Sequence, residues 1–232
     1  MAAISSLRVA VFGISRSGKD YTIKKVIETM GALGMNLAHY PGVPTIREYS
    51  LSVLGKEFVN TTEEEKGCLM DIFRRNIFDR RKTPFLIQDE HYCYPVLYGG
   101  KPLVNEYTAA KFPFKLKKDA GDLREYEVML EERWIRGCDM IFYLHPDPEE
   151  IIERMRNSEG AKRNMQITSE DIFCWMEFEV SSLKEICARY DLCFEILEEN
   201  NGAYEKITRR ICDMVSEPAA VQIRRSQAEP ET

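Results

Sequence analysis

The segment Gly13-Ile14-Ser15-Arg16-Ser17-Gly18-Lys19-Asp20 has the residue types and spacing needed to handle phosphate. Two glycines bracket four residues, so the backbone can curl until successive N–H groups face one centre. A helix beginning near Lys19 adds the partial positive charge of its N-terminus. Lys19 can then reach the β- and γ-phosphates of a nucleotide as a mobile point charge. The candidate nucleotide contacts of the loop are Gly13, Ser15, Arg16, Ser17, Gly18, Lys19, Asp20 and Tyr21. Where a hydroxyl residue usually follows the lysine, this chain has Asp20, and a carboxylate also suits Mg2+, directly or through water. Arg16 could clamp migrating phosphoryl oxygens; the alternative is a cation facing solvent.

Asp89-Glu90-His91 follows an apolar run. Asp89 there could hold the metal's water shell beside the loop or accept a proton from an attacking hydroxyl. Glu90 is the weaker candidate, on the acceptor side, and His91 reads as a local hydrogen-bonding bystander. Tyr40 and Arg47 flank a Pro-Gly-Val-Pro turn that could wall an acceptor pocket, with Arg47 on its phosphate. Arg74-Arg75-Asn76 offers a guanidinium fork and an amide that could read a base edge, with one arginine of the pair structural. Arg75 and Asn76 are the expected acceptor contacts. Arg154 to Arg163 places four cations in ten residues around Gly160. That composition suits a lid over a triphosphate, with Arg154 on the nucleotide and Arg156 on the transferring group.

These residues need strands and helices to hold them. Apolar runs predict strands at 7–12, 35–40, 84–88, 140–144 and 193–197. Helices are expected near 18–33, 45–54, 63–80, 125–136, 148–157, 169–190 and 203–215. The stretch 99–124 has no clear pattern. Strands alternating with helices predict an α/β three-layer sandwich, about five parallel strands with helices on both faces. Sites in such sheets lie beyond the carboxyl ends of the strands, where the residues above fall. One domain, 1–216, is expected, with a lid around 154–168 and a disordered tail at 217–232.

The net charge of -6 argues against general nucleic-acid coating. No apolar run has membrane-spanning length, and the first strand begins too early to leave room for a signal peptide. Seven cysteines without Cys-x-x-Cys spacing fit a reducing, cytoplasmic setting. A small-molecule phosphate acceptor is the expected partner, and a homodimer is compatible with the composition.

The string GISRSGKD is similar to loops of phage-type deoxynucleoside monophosphate kinases and animal-type phosphomevalonate kinases, and its arginine is placed as in eukaryotic-type thymidylate kinases. The chain as a whole resembles the thymidylate kinase and deoxynucleotide kinase group of P-loop kinases from about residue 7 to 215. Tyr40–Leu54 looks like the group's Pro-Gly loop and following helix, and Arg74-Arg75-Asn76 like its phosphate- and base-reading helix. Gln88-Asp89-Glu90-His91-Tyr92 stands where the group has Asp-Arg-Tyr, and Asn201 where it holds adenine. The resemblance implies ATP- and Mg2+-dependent transfer of a γ-phosphoryl group to a nucleoside monophosphate. It departs at Glu90, which replaces a substrate-binding arginine, at Ser15, and at Asp20. A nucleoside or other small-metabolite kinase remains an alternative, as does a non-catalytic NTP-binding regulator.

Overall fold

The structure is a computed structural model that describes residues 4–95, 97–98, 101–102, 116–118, 125–128, 130–157, 167–198 and 202–216. Strand β1 (Leu7–Phe12) is buried along its whole length, as a continuous apolar run should be. After it come α1 (Lys19–Ala32), α2 (Gly42–Leu54), a 3-10 turn at Phe58–Asn60, and α3 (Glu63–Phe78). Next are β2 (Phe85–Glu90), the short strands β3 (Cys93–Pro95), β4 (Leu97–Tyr98), β5 (Lys101–Pro102), β6 (Leu116–Lys118) and β7 (Glu125–Val128), and α4 (Glu132–Arg136). The chain continues through β8 (Met140–Leu144), α5 (Pro148–Arg156), α6 (Ser169–Arg189), β9 (Cys193–Leu197) and α7 (Ala203–Ser216).

The central sheet is parallel, in the order β2-β1-β8-β9. Alternation along its strands divides the core. Val9, Val11, Phe142 and Leu144 pack with Ile23 and Val26 of α1 and Ile207 and Ile211 of α7. Ala10, Phe12, Ile141 and Tyr143 face the other way, onto Trp175, Met176 and Leu183 of α6 and Ile151 of α5. Ile46, Leu69, Phe73 and Ile77 join α2 to α3 in a third cluster. The expected three-layer α/β sandwich is therefore present, with four strands instead of about five.

The missing strand is 35–40. Only Ala38 pairs, bridging to Leu86 through Ala38 N–H to Phe85 O and Ile87 N–H to Ala38 O, both 2.9 Å. Pro41 follows closely and turns the chain into α2, which cuts the ladder short. The helix expected over 125–136 is also corrected. Glu125–Val128 is a strand in an antiparallel sheet, β3-β7-β6, and only Glu132–Arg136 is helical. Tyr126 stacks on Phe178 at 4.1 Å, so tertiary packing overrides the charged, helix-like local pattern. The cap of α6 is Thr168, one residue before Ser169, in a reciprocal box with Asp171. Most of the expected lid, Asn201 and the tail lie outside the described residues. Among the described residues, no helix is long and apolar enough to cross a membrane.

Candidate phosphate-transfer site

The loop between β1 and α1 depends on its glycines. Gly13 has φ +151°, and a Cβ there would sit 2.6 Å from Ser17 Oγ and 3.1 Å from Leu144 O. Gly18 is the N-cap of α1 in the left-handed region, φ +97°, and no side chain caps that helix end. The first amides of α1 thus have no side-chain acceptor and remain suited to an anion. Arg16 also adopts positive φ, 69°, and its side chain is exposed.

Lys19 is the buried centre of this loop. Its Nζ donates to Gly13 O and to Ile14 O at 3.1 Å, and lies 3.5 Å from His91 Nε2. Burial lowers the Lys19 pKa to about 8, while the carboxylates of Glu179, Asp89, Asp20 and Glu90 work to hold its charge. Four acids, from α1, β2 and α6, thus act on one ammonium. Burial, assisted by the Lys19 charge, holds His91 well below its usual value. A neutral imidazole can accept from Lys19 at Nε2. Its buried Nδ1 has no hydrogen-bond partner among the described residues.

The end of β2 splits its acids by strand alternation. Asp89 Oδ1 meets His39 Nε2 at 3.1 Å, on the partly open side. Glu90 faces the interior, 3.6 Å from Arg74, and burial pushes its pKa up to about 7 against that guanidinium. Glu90 is thus the buried partner of Arg74, not an exposed acceptor contact. Of the adjacent arginines, Arg74 is buried, whereas Arg75 is exposed and pairs with Asp71 at 2.8 Å. The helix turns neighbouring side chains about 100° apart, and the register of α3 turns Arg75 outward. Asn76 uses its amide to bridge Tyr49 (2.7 Å) and Lys82 (3.1 Å), tying α2 to α3. Tyr40 is held by Gln88, whose Nε2 donates to Tyr40 O at 2.7 Å, and its ring lies edge-on to Phe73. Arg47 is exposed.

Arg154 reaches the loop from α5: one guanidinium nitrogen donates to Arg16 O at 3.2 Å, the other to Glu150 at 2.7 Å. Arg156, two residues on, is exposed on a different side of the helix. Asp20 and Tyr21 are exposed on the first turn of α1.

Two contributors were not singled out from sequence. The Tyr94 hydroxyl is acted on by the Ser15 side chain. Glu179 is fully buried on α6, accepting from the Tyr92 and Cys93 amides at 3.0 and 2.9 Å and from Tyr143 Oη at 3.0 Å. A signal for Glu179 existed: it stands at i+4 from Trp175 and i−4 from Leu183, an acid on the apolar stripe of a helix.

The phosphates of a nucleotide fit the uncapped start of α1, and Gly13 lets the loop pack tightly on Ser17 and Leu144 behind it. Among the described residues no three His, Cys, Asp or Glu side chains cluster as a protein-only metal cage. Mg2+ does not need one, since it keeps water and takes one or two carboxylates plus phosphate oxygens. Asp20 and Asp89, both acting on Lys19, are adequate donors of that kind.

No protein-family model and no curated protein matches the chain. Solved structures do resemble it. A shikimate kinase from Acinetobacter baumannii in complex with shikimate is 11% identical, with 93% of this chain and 96% of that chain covered, at a TM-score of 0.47. A shikimate kinase from Bacteroides thetaiotaomicron is 12% identical over 90% of this chain and 98% of its own, at 0.42. At such identities the likeness is one of fold: a parallel sheet with helices on both faces.

Proposed function

We propose that this protein is an ATP- and Mg2+-dependent phosphotransferase that moves the γ-phosphoryl group of ATP onto a small-molecule acceptor. One observation carries the reading: Lys19 is buried in a glycine-shaped loop at an uncapped helix start, with carboxylates on several sides. Among the described residues, Lys19 bonds only to loop carbonyls and the His91 ring. A phosphate would give that ammonium an ionic partner. The loop amides would cradle the triphosphate. Asp20 and Asp89 would hold Mg2+, which would neutralise charge developing on the phosphoryl oxygens. Arg16 is exposed beside the loop and would cover the transferring group. Arg154, already docked on Arg16 O, would bring α5 to the nucleotide. The work is positioning and charge neutralisation.

A nucleoside monophosphate is the first acceptor to test, with Tyr40 and Arg47 walling its pocket. Arg75 and Asn76 are committed elsewhere, so Arg74 is the better placed cation on that side. A second reading is favoured by the His39–Asp89 pair at 3.1 Å. A carboxylate oriented by an imidazole beside the phosphate loop is suited to take a proton from a hydroxyl acceptor, as in a nucleoside or small-metabolite kinase. ADP release would be followed with panels of monophosphates, nucleosides and other hydroxyl compounds. Release only with a monophosphate supports the first reading, and release only with a hydroxyl compound supports the second. Release without any acceptor indicates an NTPase, and failure to bind ATP removes the proposal.

A further inference from the structure

Resting on the proposed nucleotide loop, we infer that Glu179 is a positioning residue of that site: with Trp175 it clamps the 91–94 strap so that the strap braces the loop. The strap leaves the end of β2 and carries His91 and Tyr94 toward the loop. His91 Nε2 is 3.5 Å from Lys19 Nζ, and the Ser15 side chain acts on the Tyr94 hydroxyl. The strap is gripped by main chain. Glu179 Oε1 accepts from both the Tyr92 and Cys93 amides, and Trp175 Nε1 donates to Cys93 O at 3.1 Å. Trp175 and Glu179 are four residues apart on α6, so they present one face to the strap. Tyr143 Oη fixes the other carboxylate oxygen from β8. Tyr94 sits between its two neighbours, 5.0 Å from the His91 ring and 5.6 Å from Trp175. Contacts therefore run without a break from α6 through the strap to Ser15 and Lys19.

The placement is costly for a residue of purely structural use. A buried carboxylate is desolvated, and burial lifts Glu179 to about 7 despite three hydrogen bonds. An apolar side chain would suit the surrounding core cluster, but it would leave two strap amides without an acceptor. Glu179 also helps to sustain the Lys19 charge.

The test uses the full chain, MgATP titrated by calorimetry, and amide exchange at Tyr92 and Cys93. Glu179→Met removes the acceptors and should weaken ATP binding by about tenfold or more, with faster exchange at both amides. Glu179→Gln keeps an oxygen for both amides and can donate to Tyr143, so it should bind ATP within about threefold of the wild type. Trp175→Phe removes the donor to the Cys93 carbonyl and keeps an aromatic ring beside Tyr94, with an expected loss of about threefold to tenfold. A folded Glu179→Met protein with unchanged ATP affinity would overturn the inference. If that variant does not fold, Trp175→Phe decides in the same way. Equal losses in the Gln and Met variants would assign the effect to charge and likewise overturn the clamp. A wild type that does not bind ATP removes the nucleotide-loop reading and the inference together. Because the readout is ATP affinity, failure to find an acceptor leaves the clamp fully testable.

Discussion

The central sheet carries a buried charge cluster at each end, and the two are built differently. At the amino end, the Arg8 guanidinium donates to the carbonyls of Leu7, Pro84 and Phe78 at 3.0–3.3 Å. Arg80 grips both oxygens of Asp139, at 2.9 and 3.1 Å, and also reaches Gly137 O and Ser6 Oγ. Asp139 in turn accepts the Arg8 amide at 2.7 Å. Only Arg8 Nε is left without a partner among these groups. At the carboxyl end, Lys19 has carbonyls and an imidazole for partners, Glu90 is 3.6 Å from Arg74, and His91 Nδ1 has none.

The amino-end cluster joins α3, β1, β2 and β8. Asp139 is matched by Arg80, and three carbonyls hold the Arg8 guanidinium, whose pKa burial and Arg80 lower to about 10. The carboxyl-end cluster holds its charges against desolvation without matching them at close range. Lys19, Glu90 and Glu179 all have pKa values displaced toward their neutral forms, chiefly by burial. Such a site gains most when a charged ligand arrives. On the proposed reading, the amino end supports the fold and the carboxyl end serves the ligand.

Exchanging the consequences of mutation between the two ends would break this comparison. Lys19→Ala should lower kcat by about a hundredfold or more while leaving thermal stability equal or higher, because it deletes a desolvated cation. Near-normal turnover, or loss of the fold, would place Lys19 with the structural cluster. Arg8→Met should do the opposite. It leaves three carbonyls without their donor and should cost about 3 kcal/mol in denaturant unfolding, with turnover per folded molecule retained. A folded but inactive Arg8→Met protein would erase the distinction.

The sequence made the carboxyl end partly legible. The loop from Gly13 to Asp20 is a local motif, and its strand-loop-helix setting follows from the periodicity of its neighbours. Asp89 could be placed near the carboxyl end of β2 because it follows the apolar run, although the strand continues through it to Glu90. What was not legible depends on rotation and on distant contacts. Arg74 and Arg75 are adjacent in sequence, and only the register of α3 against the core buries the first and exposes the second. His91 stands beside Lys19 because Glu179, 88 positions away, holds the next two amides. The strand at 125–128 exists through pairing with Cys93–Pro95 and Leu116–Lys118, partners no local window contains. The amino-end cluster was missed altogether, since an arginine in a buried strand reads as an exception until its three carbonyls are seen.

A smaller effect sharpens the ligand side. If Asp20 serves Mg2+, Asp20→Ala should weaken MgATP by about tenfold and metal-free ATP far less, while Asp20→Ser retains part of the affinity. The exposure of Asp20 makes a stability change of either variant small. Calorimetric titrations with and without Mg2+ check this, and equal losses in both would detach Asp20 from the metal.

The least of these effects separates the ends by pH. Burial raises Glu179 and Glu90 from 4.5 to about 7 in the folded protein. Between those values the folded state binds more protons than the unfolded chain, so stability falls as pH rises through the window and returns on acidification. Arg8, lowered only to about 10, stays charged throughout and contributes no slope there. Glu179 and Glu90 should therefore each add on the order of 1 kcal/mol in denaturant unfolding as pH is lowered from about 8 toward about 5.5, opposed below 6.5 by His91, which burial holds neutral in the fold. Glu179→Gln mimics the protonated form and should flatten its share of that slope, whereas Arg8→Met should shift the whole curve downward without changing its shape. The exposed Lys25–Glu28 and Lys56–Glu65 pairs titrate in the opposite sense at lower pH and are common to all three proteins. Parallel curves for the wild type and Glu179→Gln would mean that folding does not change the proton affinity of Glu179, and the carboxyl end would then lose its main claim to being under charge stress.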